Sequence, residues 1–269
     1  MTSRAAGLAS TVLITGASRG LGAALALEYA EAGRTLALTA RDAASLDQVA
    51  AQCRRRGAMV ETFCADVTDH ARFAAWVAEI GSSRPVDVLI ANAGVFDGRH
   101  EDELLERWDR ALTVLRVNLE GAVATVDAVL PSMMARRAGH IVLISSLAAV
   151  HPLADAPAYS ASKAGLAAYG RALAEAVAAN GVGVSVVLAG HIATRQARMQ
   201  VGALPMLMAP ATAARLIRRG VDRRRARIVF PRSLAALARL NALLPIRLQH
   251  AIGRAFRFHI VDPPDAANK

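Results

Sequence analysis

The sequence predicts an α/β fold, a doubly wound parallel sheet of about seven strands with helices on both faces, and three observations predict it. Short apolar segments alternate with longer helical patterns along most of the 269 residues. The first apolar segment runs directly into a glycine-rich turn that opens a helical stretch, Gly16-Ala17-Ser18-Arg19-Gly20-Leu21-Gly22. The chain is 54% hydrophobic, enough to bury one sizeable core, and folds of this class and length are commonly single domains.

In order, the strand candidates are Thr11 to Thr15, Thr35 to Thr39, Met59 to Cys64, Val86 to Ala91, His140 to Ser145, Gly183 to Leu188 and Arg227 to Phe230. Most are short runs of Val, Ile, Leu and Thr, the composition of strands covered on both faces. Helical patterns occupy 20 to 32, 43 to 56, 69 to 80, 102 to 138 (two helices or one broken helix), 157 to 179 and 210 to 220. A strand–helix–strand rhythm of this kind makes a parallel sheet, and right-handed crossovers leave few other arrangements. No repeat, low-complexity linker or boundary interrupts it. Residues 1–269 are therefore read as one domain, with a core of about 10–231 and a C-terminal extension over 232–269.

Composition narrows the setting. Cys53 and Cys64 are the two cysteines, and no Cys/His cluster accompanies them, so neither a disulfide framework nor a metal site is expected and a reducing cytoplasm is the simplest location. Met1 to Ser10 lacks the apolar core of a secretion signal, and no run reaches the roughly 18 apolar residues of a spanning helix. The net charge of +10 is uneven: from Arg195 to Arg257 there are 14 arginines against one acid, Asp222, which is +13, leaving −3 elsewhere. Such a stretch faces nucleic acid, anionic lipid, an acidic partner or water.

The residues that carry chemistry follow the fifth strand. Ser146 ends the run Ile141-Val142-Leu143-Ile144, and Tyr159 and Lys163 lie four residues apart in the next helical stretch, on one helix face. A cation one turn beyond a phenol favours the phenolate, whose ordinary pKa is about 10, and a tyrosine tuned in this way can give or take a proton at an alcohol or carbonyl oxygen. The glycine turn fits the same picture. Glycines between a strand and a helix let backbone approach a pyrophosphate and aim a helix N-terminus at its charge.

With these blocks in place, Thr11 to about Thr194 resembles the short-chain dehydrogenase/reductase family of the Tyr-x-x-x-Lys type, whose fold is a Rossmann fold. The glycine spacing, Gly-x-x-x-Gly-x-Gly, is the family's. The resemblance implies a nicotinamide cofactor contacted by Thr15, Gly16, Ser18, Arg19, Gly20, Leu21, Gly22, Asp66, Val67, Asn92, Ala93, Gly94, Tyr159, Lys163, Gly190, Ile192 and Thr194. It also implies that Asn118, Ser146, Tyr159 and Lys163 are catalytic, Ser146 over Ser145 because the family's serine lies thirteen residues before its tyrosine. Tyr159 would act as general acid/base, Ser146 would position the substrate oxygen, Lys163 would bind the cofactor ribose, and Asn118 would hold a relay water.

NADP(H) is expected over NAD(H). After the second strand, NAD-preferring relatives place an acid, where this chain has Ala40 followed by Arg41, and Arg19 adds a second cation suited to a phosphate. Asp42 turned toward the ribose would give NAD instead. One family feature is altered: Ala189-Gly190-His191-Ile192-Ala193-Thr194 lacks the usual proline at Ala189, which predicts a freer loop. His191, in a variable slot of that motif, is read as a structural or substrate-contact residue.

The expected substrate is a small-molecule carbonyl or alcohol of apolar character, walled by Val95, Phe96, Leu147, Val150, Leu153, Met199, Val201, Leu204, Met206, Leu207 and Met208. Family members are commonly homodimers or homotetramers built on helices corresponding to about 112 to 138 and 157 to 179. Beyond the last strand, Ser233 to Phe258 mixes apolar residues with arginines at 239, 247, 254 and 257 and is interrupted by Pro245. A basic amphipathic helical extension of this kind lies peripherally on an anionic membrane, or packs on the domain or on a partner subunit. The rival reading is a non-catalytic, cofactor-binding regulator that holds nucleic acid; no recognition helix or aromatic platform supports it, and aromatics are 4% of the chain.

Overall fold

The computed structural model describes residues 11–261. Met1 to Ser10, where no secretion signal is expected, and 262–269 at the end of the extension lie outside the described residues. In chain order the elements are β1 (Thr11–Thr15), α1 (Gly20–Tyr29), β2 (Thr35–Ala40), α2 (Ala43–Arg55), β3 (Met59–Cys64), α3 (His70–Ser83) and β4 (Val88–Ala91). They continue with α4 (Trp108–Leu115), a π-helical turn over Arg116–Glu120, α5 (Gly121–Arg136), β5 (Gly139–Ser146), α6 (Pro157–Ala176), β6 (Val182–Ala189), α7 (Arg195–Arg198) and β7 (Gln200–Val201). The last are α8 (Pro210–Asp222), β8 (Arg227–Phe230), α9 (Arg232–Ala242), α10 (Ile246–Arg254) and β9 (His259–Ile260).

The main sheet has seven strands in the order β3-β2-β1-β4-β5-β6-β8, all paired in parallel. This is a Rossmann-like α/β domain, as expected. The period-2 alternation of each strand sends its side chains into two separate cores. Val12, Ile14, Leu36, Leu38, Ile90 and Val142 face α1, α2 and α8, whereas Leu13, Ala37, Leu89, Ile141 and Leu143 face α3, α5 and α6. All of these side chains but Ala37 are large and essentially fully buried, each contributing roughly 1.5–3 kcal/mol by leaving water.

The strand order reverses between β1 and β4, so the connections leaving these two strands part and open a crevice at their C-terminal ends. The expected break in 102 to 138 is real: 102–107 is not helical, and between α4 and α5 the helix widens to π geometry across Asn118. A π turn displaces side chains from the regular helical rows and is frequent at functional sites. Past β8, Pro245 separates α9 from α10, and the chain then returns to the crevice, where β9 pairs antiparallel with β7. Neither two-residue strand is legible in the sequence, because two residues carry no periodicity. No helix among the described residues is long and apolar enough to cross a membrane.

Candidate active site

The turn between β1 and α1 is shaped by its glycines. Gly16 and Gly20 have φ of +66° and +56°, a region unfavourable to other residues. Gly22 admits no side chain, because a Cβ there would meet the Gly16 carbonyl oxygen at 2.1 Å and Asn92 Nδ2 at 2.6 Å. Asn92 is the clamp: its Nδ2 donates to the carbonyls of Thr15 and Gly16 at 2.9 and 3.2 Å. Thr15 answers from β1, its buried Oγ1 accepting from the N–H groups of Asn92 and Ala93, each at 3.0 Å. No side chain caps the N-terminus of α1, which leaves its first N–H groups available for an anion.

These groups form one end of a cleft of about 1670 Å³ that continues over the C-terminal ends of β4, β5 and β6. Gly16, Ser18, Arg19, Gly20, Leu21, Gly22, Arg41, Asp66, Val67, Asn92, Ala93, Gly94, Ser146, Tyr159, Lys163, Gly190, Ile192 and Thr194 all border it. Two expected residues do not. Thr15 is buried beneath the turn and acts on it through hydrogen bonds, and Asn118 is fully buried behind the floor of the cleft. Asn118 Oδ1 accepts from Val95 N–H at 2.8 Å, and its Nδ2 donates to the Val95 carbonyl at 2.9 Å and to Ser162 Oγ at 3.2 Å. A Cβ placed on Gly94 would lie 3.1 Å from Asn118 Oδ1 and 3.5 Å from Lys163 Nζ, so both side chains converge on that glycine.

At the far end of β5, Ser146 borders the cleft with Tyr159, and its Oγ accepts from Ala148 N–H at 3.1 Å. Pro157 starts α6, and Tyr159 and Lys163 follow one turn apart. The electrostatics differ from the expectation of a phenol drawn toward neutrality. Burial raises the Tyr159 pKa, with the Ser146 hydrogen bond opposing it, and burial also lowers Lys163 to about 8. Desolvation acts against the charged form of each group.

At the β2 end of the cleft, Ala40 is buried where the strand stops, and Arg41 reaches to 3.5 Å from Asp66. Asp42 is engaged as the N-cap of α2, accepting from Ser45 N–H at 3.1 Å and Ser45 Oγ at 2.7 Å. The loop after β6 crosses to the glycine turn, where Thr194 packs against Gly20. Without proline at Ala189 the loop is expected to move freely, yet Gly190 N–H donates to Phe230 O at 2.8 Å and Gln196 Nε2 to Gly94 O at 2.7 Å. His191 Nδ1 meets the Pro205 carbonyl at 3.2 Å and, largely desolvated, has a lowered pKa, which suits a neutral ring that pins the loop.

The substrate side departs from the sequence reading. Val95, Phe96, Leu147, Leu153 and Met199 border the cleft, but Val150, Val201, Leu204, Met206, Leu207 and Met208 do not. The remaining wall comes from α9, α10 and the segment after them, including Leu237, Leu240, Ile252 and Phe258. Sequence gave no signal for this, because the contacts depend on the chain's return from α10. Among the described residues, no group of three or more His, Cys, Asp or Glu side chains is arranged to hold a metal ion.

Residues 10–204 match the model of the short chain dehydrogenase family. An uncharacterized oxidoreductase of Myxococcus xanthus is 35% identical over 251 residues, 92% of this chain and 97% of that protein. A short-chain dehydrogenase from Streptomyces avermitilis superposes with a TM-score of 0.76 at 28% identity, covering 94% of this chain and 97% of that one. One from Sphingobium yanoikuyae, solved in complex with NADPH, gives 0.76 at 29% identity over 92% and 96%.

Proposed function

The chain belongs to the short-chain dehydrogenase family, and from that premise we propose that it is an NADP(H)-dependent oxidoreductase acting at the carbonyl or secondary alcohol carbon of an apolar substrate. The observation that carries the reading is that Ser146, Tyr159 and Lys163 border one cleft with the glycine turn, with Lys163 Nζ 5.7 Å from the centre of the Tyr159 ring. When bound, the cofactor supplies or accepts the hydride. Tyr159 then gives its phenolic proton to the developing alkoxide, or takes one from the alcohol. Ser146 donates a hydrogen bond to the same oxygen and fixes its position. Lys163 holds the cofactor ribose and keeps a positive charge behind the phenol. Asn118 positions the loop at Val95 and shares the Gly94 neighbourhood with Lys163.

Three features favour NADP(H). Ala40 supplies no carboxylate to repel a 2′-phosphate, Arg19 and Arg41 border the cleft at that end, and the Asp42 carboxylate is occupied by Ser45. The NADPH complex of the Sphingobium relative agrees with this choice.

The apolar substrate follows from the wall. Leu237, Leu240, Ile246, Ile252 and Phe256 border the cleft and are also 40–60% exposed, so its mouth opens through an apolar rim between α9 and α10. Arg239, Arg247 and Arg254 stand on the same two helices. We propose that this rim rests on an anionic bilayer at its cytoplasmic face, from which the substrate enters. A second copy of the chain on the same rim would bring arginine against arginine. Leu104 and Leu105 just before α4 and Trp108 at its start are exposed and suit a homo-oligomer built on α4, α5 and α6 instead. Flotation with phosphatidylglycerol vesicles tests the rim: Leu240→Glu with Ile252→Glu abolishes it, whereas equal flotation of the variant counts against a bilayer.

The reaction itself is tested with purified protein, NADPH and a panel of apolar ketones. The wild type oxidises the cofactor, and Tyr159→Phe loses turnover while still binding NADPH. A Phe variant working at the wild-type rate rejects the proton donor assigned here.

A further inference from the structure

The most tightly held carboxylate of the active-site cleft takes no part in the proposed chemistry. Asp155, in the loop just before α6, is 1% exposed and accepts hydrogen bonds from three directions. Arg99 Nε donates to it at 3.0 Å from the loop after β4, and Arg257 donates through Nε at 2.9 Å and Nη2 at 2.7 Å. The backbone N–H of Phe258 donates to its other oxygen at 3.0 Å. Arg99 also grips the returning segment directly, with Nη2 donating to Phe258 O at 2.9 Å and its carbonyl accepting from Ile260 N–H at 2.9 Å. One buried carboxylate thus joins three stretches of chain that are far apart in sequence.

The returning segment packs over the cleft, apart from both cores of the sheet. Phe258 and Ile260 form a separate apolar cluster with Ala156, against which Phe96, Leu153, Tyr159 and Met199 rest. The Phe258 ring stacks on Phe96 with centroids 6.0 Å apart, and Phe96 meets Tyr159 edge-on at 4.8 Å. Small residues permit the approach. A Cβ on Gly98 would lie 2.3 Å from the Asp155 carbonyl oxygen, and one on Gly202 would lie 2.8 Å from Phe258 Cβ. The segment is also tied by the two-residue β7–β9 pair, by a bridge between Ile260 and His100, and by Val261 N–H donating to the Met199 carbonyl at 2.8 Å.

We propose that Asp155 is a positioning residue that latches residues 257–261 over the cleft, making Phe258 the wall facing Tyr159 and so setting the size of the apolar group accepted beside the carbonyl. The inference rests on the carbonyl-reductase reading for its kinetic arm only. Bulky substrates need the Phe258–Phe96 surface, and small ones fill too little of the pocket to use it.

The test compares wild type, Phe258→Ala, Arg257→Ala and Arg257→Lys with NADPH and two ketones, cyclohexanone and 1-tetralone. Arg257 is half exposed, so its replacement leaves the fold standing. Phe258→Ala and Arg257→Ala are expected to lower kcat/KM for tetralone relative to cyclohexanone by about tenfold, the size of a partly lost apolar contact, with the change carried by KM. Arg257→Lys is expected to recover part of that ratio. Amide hydrogen exchange supplies an arm independent of turnover, since 258–261 should exchange about tenfold faster in Arg257→Ala while β4 and β5 are unchanged. Equal losses for both ketones, or an unaltered ratio, overturn the specificity role. Unaltered exchange at 258–261 overturns the latch, including in the case where no ketone is reduced and the parent reading itself fails.

Discussion

Lys163 Nζ lies 5.7 Å from the centre of the Tyr159 ring and donates a 3.0 Å hydrogen bond to the Ile144 carbonyl. The ammonium is thus seated on the end of β5 behind the phenol, where burial lowers its pKa from 10.5 to about 8. Between those two values the unfolded chain binds the proton and the folded one does not, so stability rises with pH across that window and the penalty is complete below pH 8. The penalty is roughly 3 kcal/mol. Lys163→Met should therefore be more stable than wild type to urea at pH 7 but not at pH 10.5, while losing activity. Parallel pH profiles for the two proteins would refute the burial of a strained charge.

The proposed preference for NADP(H) turns on Ala40. Because Ala40 ends β2 at the cleft and Arg41 follows it, Ala40→Asp should place a carboxylate where a 2′-phosphate would sit. Like charges at that distance cost on the order of 1–3 kcal/mol, so KM for NADPH should rise about tenfold or more and KM for NADH should fall. Steady-state kinetics with both nucleotides decide it. An unchanged ratio would mean that neither Ala40 nor Arg41 approaches the ribose.

The glycines divide by what surrounds them. Gly22→Ala drives a Cβ into the Gly16 carbonyl and Asn92, both fixed by the β1–β4 clamp, and should lower the urea midpoint and abolish NADPH binding. Gly81 in α3 has nothing within 4 Å of its Cβ position. There the substitution only removes the backbone freedom of glycine in a helix, and Gly81→Ala should stabilise by about 0.5–1 kcal/mol. Thermal melts of the two variants should move in opposite directions.

These contrasts also mark what the sequence makes legible. All seven strands of the sheet are foreshadowed: the central ones are buried on both faces and need near-continuous apolar runs, while the edge strand β3, Met59–Cys64, is only partly buried and is placed by the strand–helix rhythm around it. The glycine turn, Ser146, Tyr159 and Lys163 are equally plain, since each occupies a fixed offset from a strand or helix end. The substrate wall is not. Phe258 is held at the cleft where Arg99 and Arg257 converge on Asp155, 56 and 102 positions away in sequence, and Leu237 and Leu240 reach it on α9, which Asn241 ties to His151. Local periodicity carries no trace of such a contact. The upward shift of the Tyr159 pKa is hidden for a related reason: spacing reveals a neighbouring cation but says nothing of the depth at which both groups are buried.

Asn118 offers a sharper test of positioning. Its amide presents one acceptor and two donors to Val95 N–H, Val95 O and Ser162 Oγ, a set that no isosteric residue reproduces. Asn118→Asp sets a carboxylate oxygen against the Val95 carbonyl in a fully buried site and should cost about 3 kcal/mol or more. Asn118→Ala loses the hydrogen bonds without adding charge and should be milder in stability, yet still slow turnover as the 95–97 loop loosens. A variant with normal kcat would remove Asn118 from the active-site apparatus.

His140 supplies an acid-sensitive point remote from the cleft. Its Nε2 lies 2.8 Å from Ser185 Oγ, and that hydroxyl gives its own proton to the Arg225 carbonyl at 2.6 Å. The serine oxygen can then only accept, so the neutral ring carries its proton on Nε2. Among the described residues Nδ1 has no partner, and a Cβ on Gly183 would come within 2.4 Å of it, so a second proton finds no acceptor among them. Burial, with help from the Arg224 charge, accordingly lowers the pKa from 6.5 to about 4. The unfolded chain takes up this proton first as pH falls, so stability present above pH 6.5 is lost progressively down to about pH 4, by roughly 3 kcal/mol. Urea midpoints of wild type and His140→Gln, which keeps a donor for Ser185, should separate at pH 7 and converge toward pH 4.5. If the gap between them is the same at both pH values, the histidine is not held neutral and the acid sensitivity of the fold has another source.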